Sequence, residues 1–395
     1  MNIRVLHIDD DMQVLQDVKQ ILNGMQIGDD TIIMKDGCDF NEGIEKLKSD
    51  IFDLVLLDLC IGDANEASDK VGAEIFEKIK ALAFVPIIFF TALPGYVHNL
   101  ESDIVRVAGK AEGYDELIKQ MKSILSTGFV KMKSDIDLIV KEGVRGYFWD
   151  FVHPNQPIVE QIKNDDVSLK YLLLRRLSKS LSSEVIRNNV EDPLLDKDKA
   201  HPMEFYIYPP VDGEFETGDI IKEKESGNFF VILTPACDLI ERANGKRKAE
   251  KVLVVQAMDM LTLSACVKYK EAQTEREKFL QHQQTLPEKK RPELNGAIEK
   301  LEKQIVNLAL DVKKLMKPGN DRFFFLPKTP FLPGLLIDFQ IKKTIIYENL
   351  ESDYDVIATL DDPHSQSMQS SFIRYYNRVG FPDLDIDYVF ENLMA

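Results

Sequence analysis

The chain has 395 residues, too many for one ordinary domain, and 44% hydrophobic with 29% charged residues is enough to bury a sizeable core. A net charge of −17 argues against a surface built to bind nucleic-acid phosphates, and no apolar run is long enough for a membrane span. Cysteines at 38, 60, 237 and 266 form no CxxC pair, which suggests neither a disulfide framework nor a zinc ribbon; with acidic residues already at position 9 rather than a signal peptide, a reducing cytoplasm fits best.

The first third alternates short apolar runs with helical patterns. Residues 3–8 read as a strand that stops at Asp9-Asp10-Asp11, followed by a helix with Val14, Leu15, Val18, Ile21 and Leu22 on one face. Residues 31–35 read as a second strand and 41–49 as a helix. Residues 52–57 are a third strand ending at Asp58, and 71–83 a helix. Residues 86–90 are a fourth strand ending at Thr91. Residues 104–107 are a fifth, ending near Lys110, and 114–125 the last helix. This order implies right-handed crossovers and a doubly wound, flavodoxin-like α/β sheet, whose ligand sites lie at the carboxyl ends of the strands. Asp9, Asp10, Asp58, Thr91 and Lys110 all fall there.

Converging carboxylates make a hard oxygen site suited to Mg2+. A strand-end aspartate can act as nucleophile toward a phosphoryl group, and a lysine opposite can hold a phosphate oxygen. The pieces IDD at 8–10, VLLDL at 55–59, FFTA at 89–92 and Lys110 resemble those of response-regulator receiver domains, over about residues 1–127. The resemblance implies that Asp58 is the phosphoacceptor and that Asp9, Asp10, Asp58 and the backbone carbonyl of Cys60 bind Mg2+. It also implies that Thr91 is the switch hydroxyl, that Lys110 pairs with the phosphate, and that a histidine kinase or related ATPase is the partner. Three departures stand out: the acidic stretch after Asp58, Ala111 in place of the usual proline, and Ala108 where an aromatic switch residue is expected.

Residues 128–200 read as a helical connector. It carries the aromatic group Tyr147, Phe148, Trp149 and Phe151, then an amphipathic helix over 167–187. Arg175, Arg176 and Lys179 on that helix fit a solvated face better than a DNA-recognition helix, since no compact helix-turn-helix is visible.

Residues 201–395 read as a β-rich output domain. Short strands at 204–208, 219–223, 228–234, 251–256, 322–326, 335–339 and 342–347 suggest a small barrel. The stretch GDIIKEKESGNFFVILTPACDL faintly resembles the SH3-like barrels of the MazF/PemK toxin group, without the arginine those ribonucleases carry. Cys237 reads as a buried small hydrophobe, and Arg242, Lys246, Arg247, Lys248 and Lys251 as a solvated hairpin loop around an Asn244-Gly245 turn. Residues 267–317 interrupt the strands with a helical hairpin. Leu294, Ile298, Leu301, Ile305, Leu308, Val312 and Leu315 form a heptad seam in it. The preceding helix is mostly polar, so the seam is expected to pair with a second copy as a homodimer. Three output activities stay open: protein interaction or dimerisation, a nuclease-like barrel, and atypical DNA binding.

Overall fold

The computed structural model describes residues 1–59, 69–165, 168–181, 196, 198–211, 213–317, 321–377 and 384–395, apart from the side chains at 69–75, 180, 288 and 289. The chain forms two compact units, residues 1–185 and 186–395.

In the first unit, strands β1 (Asn2–Ile8), β2 (Gln26–Ile27), β3 (Asp30–Gly37), β4 (Leu54–Leu57), β5 (Ile87–Thr91) and β6 (Val105–Gly109) form one sheet of order β2-β3-β1-β4-β5-β6. The β2–β3 pair is an antiparallel hairpin; every other pairing is parallel. Helices α1 (Met12–Leu22) and α4 (Tyr114–Ser126) cover one face. Their Val18, Leu22, Leu117, Met121 and Ile124 join Ile3, Val5, Leu56 and Phe90 in one core cluster. Helices α2 (Phe40–Ser49) and α3 (Asp69–Leu82) serve the other face, where Leu47 and Ile79 meet Leu6, Ile8 and Leu57. Gly43 lets α2 approach β1 closely, since a Cβ there would stand 2.5 Å from Ile8 Cδ1.

The β5–β6 crossover holds no α-helix. Two single 3-10 turns, Pro94–Tyr96 and His98–Leu100, make the connection, with Val97 buried on the α2/α3 side. Beyond α4, helices α5 (Phe129–Gly146), α6 (Gln156–Asn164) and α7 (Leu169–Ser180) follow within the first unit, and Val130 of α5 enters the first core. A π-helical turn, Tyr147–Val152, carries the aromatic group. The last part of the stripe expected over 167–187 lies outside the described residues. Arg175 and Arg176 are exposed and lie over the rings of Tyr171 and Tyr147, 5.8 and 5.9 Å from their centroids.

The second unit is an all-antiparallel sheet of seven strands: β7 (Tyr206–Ile207), β8 (Asp219–Glu223), β9 (Phe229–Ile232), β10 (Lys251–Asp259), β11 (Phe323–Leu326), β12 (Leu335–Ile346) and β13 (Tyr354–Leu360). Their order is β11-β12-β10-β9-β8-β13-β7. The expected barrel is not closed by backbone pairing between β11 and β7 among the described residues. Side chains bridge the gap instead: Tyr206 donates to the Pro327 carbonyl at 2.8 Å, and Tyr208 stacks on Phe331 at 3.8 Å. This open sheet lends no support to the MazF/PemK resemblance.

Between β10 and β11, helices α8 (Ser264–Thr285) and α9 (Asn295–Met316) form the expected hairpin. Every seam residue from Leu294 to Leu315 is buried or half-buried within this one chain. Half-buried Tyr269, Gln273, Arg276, Phe279 and Gln283 of α8 face it, with Ala272 buried. The Arg276–Glu302 pair at 2.8 Å and the Gln283–Asn295 bond at 2.7 Å tie the two helices. At the base, Val312 and Leu315 pack with Met260, Cys266 and Leu336. The mostly polar α8 is thus a sufficient cover, because long polar side chains bury their methylenes while keeping their heads wet. The seam therefore gives no reason to invoke a second copy.

Candidate functional site

The sheet places the acidic residues at one edge. Parallel pairing of β1 with β3 and β4 puts the chain ends after Ile8 and Leu57 side by side, and Asp58 N–H donates to the Ile8 carbonyl at 3.0 Å. The Asp9-Asp10-Asp11 run then divides its labour. Asp11 caps α1, its carboxylate accepting from the amides of Gln13 and Val14 at 2.8 and 3.3 Å. Asp9 turns inward and Asp10 stays exposed. Ligand oxygens of Asp9, Asp10 and Asp58 lie within 4.8 Å of one another.

Lys110 follows β6 and reaches across to this cluster. Its Nζ stands 2.6 Å from Asp58 Oδ2 and 2.8 Å from Asp9 Oδ2. The other Asp58 oxygen accepts from the Leu59 amide at 2.7 Å. Asp58 and Asp9 are 4% and 1% exposed, so the pocket is shielded and its charges act through little water. Burial raises the Asp9 carboxyl, but its polar contacts with His7, Lys110 and the Asp11 amide outweigh that and hold it below the ordinary range. Burial lowers the Lys110 ammonium, yet the carboxylates of Asp58 and Asp9 win and raise it. Asp9 and Lys110 thus each favour the charged form of the other.

Thr91 ends β5 fully buried, its hydroxyl accepting from the Leu93 amide at 3.2 Å. Among the sequence-derived site residues, Asp9, Asp10, Asp58 and Lys110 share one cluster, with Thr91 on the neighbouring strand end. Cys60, whose carbonyl was expected as a ligand, lies outside the described residues. Sequence reasoning missed His7, which is wholly buried with its Nε2 3.6 Å from Asp9 Oδ2. Its position inside an apolar strand run gave no signal.

The donor set fits Mg2+. Three carboxylates converge in a shielded pocket, all donors are hard oxygens, and mutual repulsion favours a divalent cation among them. No zinc-type sulfur or imidazole belongs to this set.

The other singled-out groups sit apart in the second unit. Cys237 is exposed, not buried: it occupies a helical turn, Ala236–Leu239, whose inward residue is Leu239. Its Sγ stands 3.6 Å from Asp238 Oδ1. The basic segment is a tight turn in which Gly245, at φ 70°, donates its N–H to the Arg242 carbonyl at 2.8 Å. Arg247 is engaged locally. It donates to the Leu239 carbonyl at 2.9 Å, pairs with Glu214 and Glu241, and lies 4.4 Å over the Tyr347 ring.

No protein-family model matches the chain, and no curated protein matches it. Among solved structures, the chemotaxis protein CheY4 of Vibrio cholerae is similar at 17% identity, over 31% of this chain and 99% of its own, with a TM-score of 0.26. The two-component response regulator RcsB, solved in a complex with DNA, is similar at 16% identity over 47% of this chain and 91% of its own, with a TM-score of 0.24. RcsB of Salmonella typhimurium is similar at 20% identity over 49% and 93%, with a TM-score of 0.23. Among the described residues no helix is long and apolar enough to cross a membrane.

Proposed function

We propose that residues 1–127 are the phosphoacceptor receiver of a cytoplasmic two-component response regulator, with Asp58 as the phosphorylated residue. One observation carries this reading: buried Asp9 and Asp58, exposed Asp10 and half-buried Lys110 meet at the carboxyl ends of β1, β4 and β6. The Asp58 carboxylate attacks phosphorus, forming an O–P bond as the bond to the donor breaks and its electron pair leaves with the donor. A phosphohistidine of a histidine kinase, or a related phosphorylated partner, is the donor class. Lys110 then exchanges a carboxylate oxygen for a phosphoryl oxygen. The Thr91 hydroxyl, on the adjacent strand end, donates its proton toward the new group. Asp9, Asp10 and Asp58 would hold Mg2+, which when bound neutralises charge on the phosphoryl oxygens. Attack of water on phosphorus returns the free carboxylate.

In this reading the second unit is the effector. Local engagement of Arg247 supports an output that works by protein contact rather than by gripping nucleic-acid phosphates. The reading is tested by incubating the full chain with acetyl phosphate and Mg2+ and measuring intact mass. The wild type is expected to gain one phosphoryl group and Asp58→Asn none. Wild-type labelling of Asp58→Asn would sink the assignment.

A further inference from the structure

The period-2 series on β1 runs Ile3, Val5, His7, and the first two belong to the core beneath α1 and α4. His7 is in register with Leu56 on β4 and is 0% exposed. A branched aliphatic is what the sheet asks for here. An imidazole stands instead, and among the described residues neither of its nitrogens lies within hydrogen-bond distance of a partner. A buried polar group in that condition costs about 1–3 kcal/mol, so something must offset it.

The imidazole is aimed at one atom. Nε2 lies 3.6 Å from Asp9 Oδ2, while Asp9 Oδ1 accepts from the Asp11 amide at 2.9 Å. Oδ2 is also the oxygen that Lys110 approaches at 2.8 Å, and Lys110 is shared with Asp58. The ammonium has three N–H donors to divide between two carboxylates and an incoming phosphoryl oxygen. When Lys110 turns to the phosphoryl group, the neighbouring donor left to Oδ2 among the described residues is the His7 ring.

We propose that His7 is a positioning residue that fixes the Asp9 carboxylate through Nε2–H, so that Asp9 remains oriented toward a divalent cation whichever carboxylate or phosphoryl oxygen Lys110 engages. This rests on the phosphoacceptor reading. Groups that orient a ligand from behind are worth about 10–100-fold in metal affinity. The ring donates through Nε2–H and contributes no ligand atom itself.

The test is a Mn2+ titration of the unphosphorylated full chain, with free Mn2+ read by electron paramagnetic resonance. His7→Val is expected to bind about tenfold more weakly, with a urea midpoint no lower than wild type because a buried Nδ1 with no partner among the described residues is gone. His7→Gln, which can present a donor near the Nε2 position, is expected within about threefold of wild type. With acetyl phosphate, the cation concentration at half-maximal labelling rises in His7→Val while the rate at saturating cation is unchanged. Wild-type Mn2+ affinity in His7→Val overturns the proposal. So does a less stable His7→Val chain, or a His7→Gln chain as weak as His7→Val, since either makes the ring a core residue. If wild-type protein binds no Mn2+ and acetyl phosphate leaves Asp58 unmodified, the phosphoacceptor reading falls and takes this inference with it.

Discussion

Asp219 stands at the first position of β8, 4% exposed, between the Glu216 amide at 2.8 Å and the Thr359 hydroxyl at 2.6 Å. Burial pushes its carboxyl up to about 6 despite those two bonds. In the folded chain Asp219 keeps its proton to higher pH than in the unfolded chain, where 3.8 is ordinary. Stability is therefore favoured below that unfolded value and lost as pH rises through about 6, by on the order of 2–3 kcal/mol. Asp219→Asn supplies a neutral group of the same shape whose oxygen can accept from the Glu216 amide while its NH2 donates to the Thr359 hydroxyl oxygen. Its urea midpoint in the full chain is expected above wild type at pH 7.5, with the advantage gone near pH 4; a lower midpoint at pH 7.5 would contradict this. Asp219 shows why some residues are legible in a sequence and others are not. Asp9, Asp58, Thr91 and Lys110 each follow an apolar run, so strand-end placement announces them. His7 and Asp219 lie within strands, where burial and partners come only from the fold. Cys237 misled for the same reason, because a four-residue helical turn gave Leu239 the inward position.

At the scale of the element, the hairpin of α8 and α9 shows how a polar helix can complete an apolar seam. Ile298 and Leu301 are each 8% exposed, and their cover comes from within the chain. Leu301→Ala is expected to destabilise the hairpin by about 2–4 kcal/mol. Hydrogen exchange should then quicken across α8 and α9, while light scattering gives an unchanged mass. A fall in mass on Leu301→Glu with Ile305→Glu would instead return the seam to an interface between copies. Period and composition made the hairpin itself readable, but not what covers it, since amphiphilic side chains such as Arg276 and Gln283 count as polar in any pattern. Strand β13 escaped the pattern because its register shifts between Val356 and Ala358, which breaks the alternation a strand is recognised by. Strand β12 was split in two at Gln340 and Ile341, although it runs unbroken from Leu335 to Ile346. The parallel strands of the first unit were easier, being buried on both faces and thus continuously apolar.

At the scale of the molecule, the two units have separate cores, and ligand linkage offers a way to address one without the other. Among the described residues, the core clusters of residues 1–185 contain no residue of the second unit, and the converse holds. The single tryptophan, Trp149, lies in the first unit, so its fluorescence follows the unfolding of that unit. A cation held by Asp9, Asp10 and Asp58 binds the native first unit only, and at ten times its dissociation constant adds about 1.4 kcal/mol to that unit's stability. For a unit of this size the gain is about 3–6 °C in the Trp149 transition. Mg2+ is therefore expected to raise the transition seen by Trp149 by a few degrees. Asp58→Asn, which removes one ionised ligand, should reduce the rise. Asp219→Asn at pH 7.5 should do the reverse, moving the remaining calorimetric transition and leaving the Trp149 midpoint where it was. If Mg2+ and Asp219→Asn each shift both signals equally, the chain unfolds as one cooperative body, and the second unit would feel occupation of the acidic pocket through global stability alone.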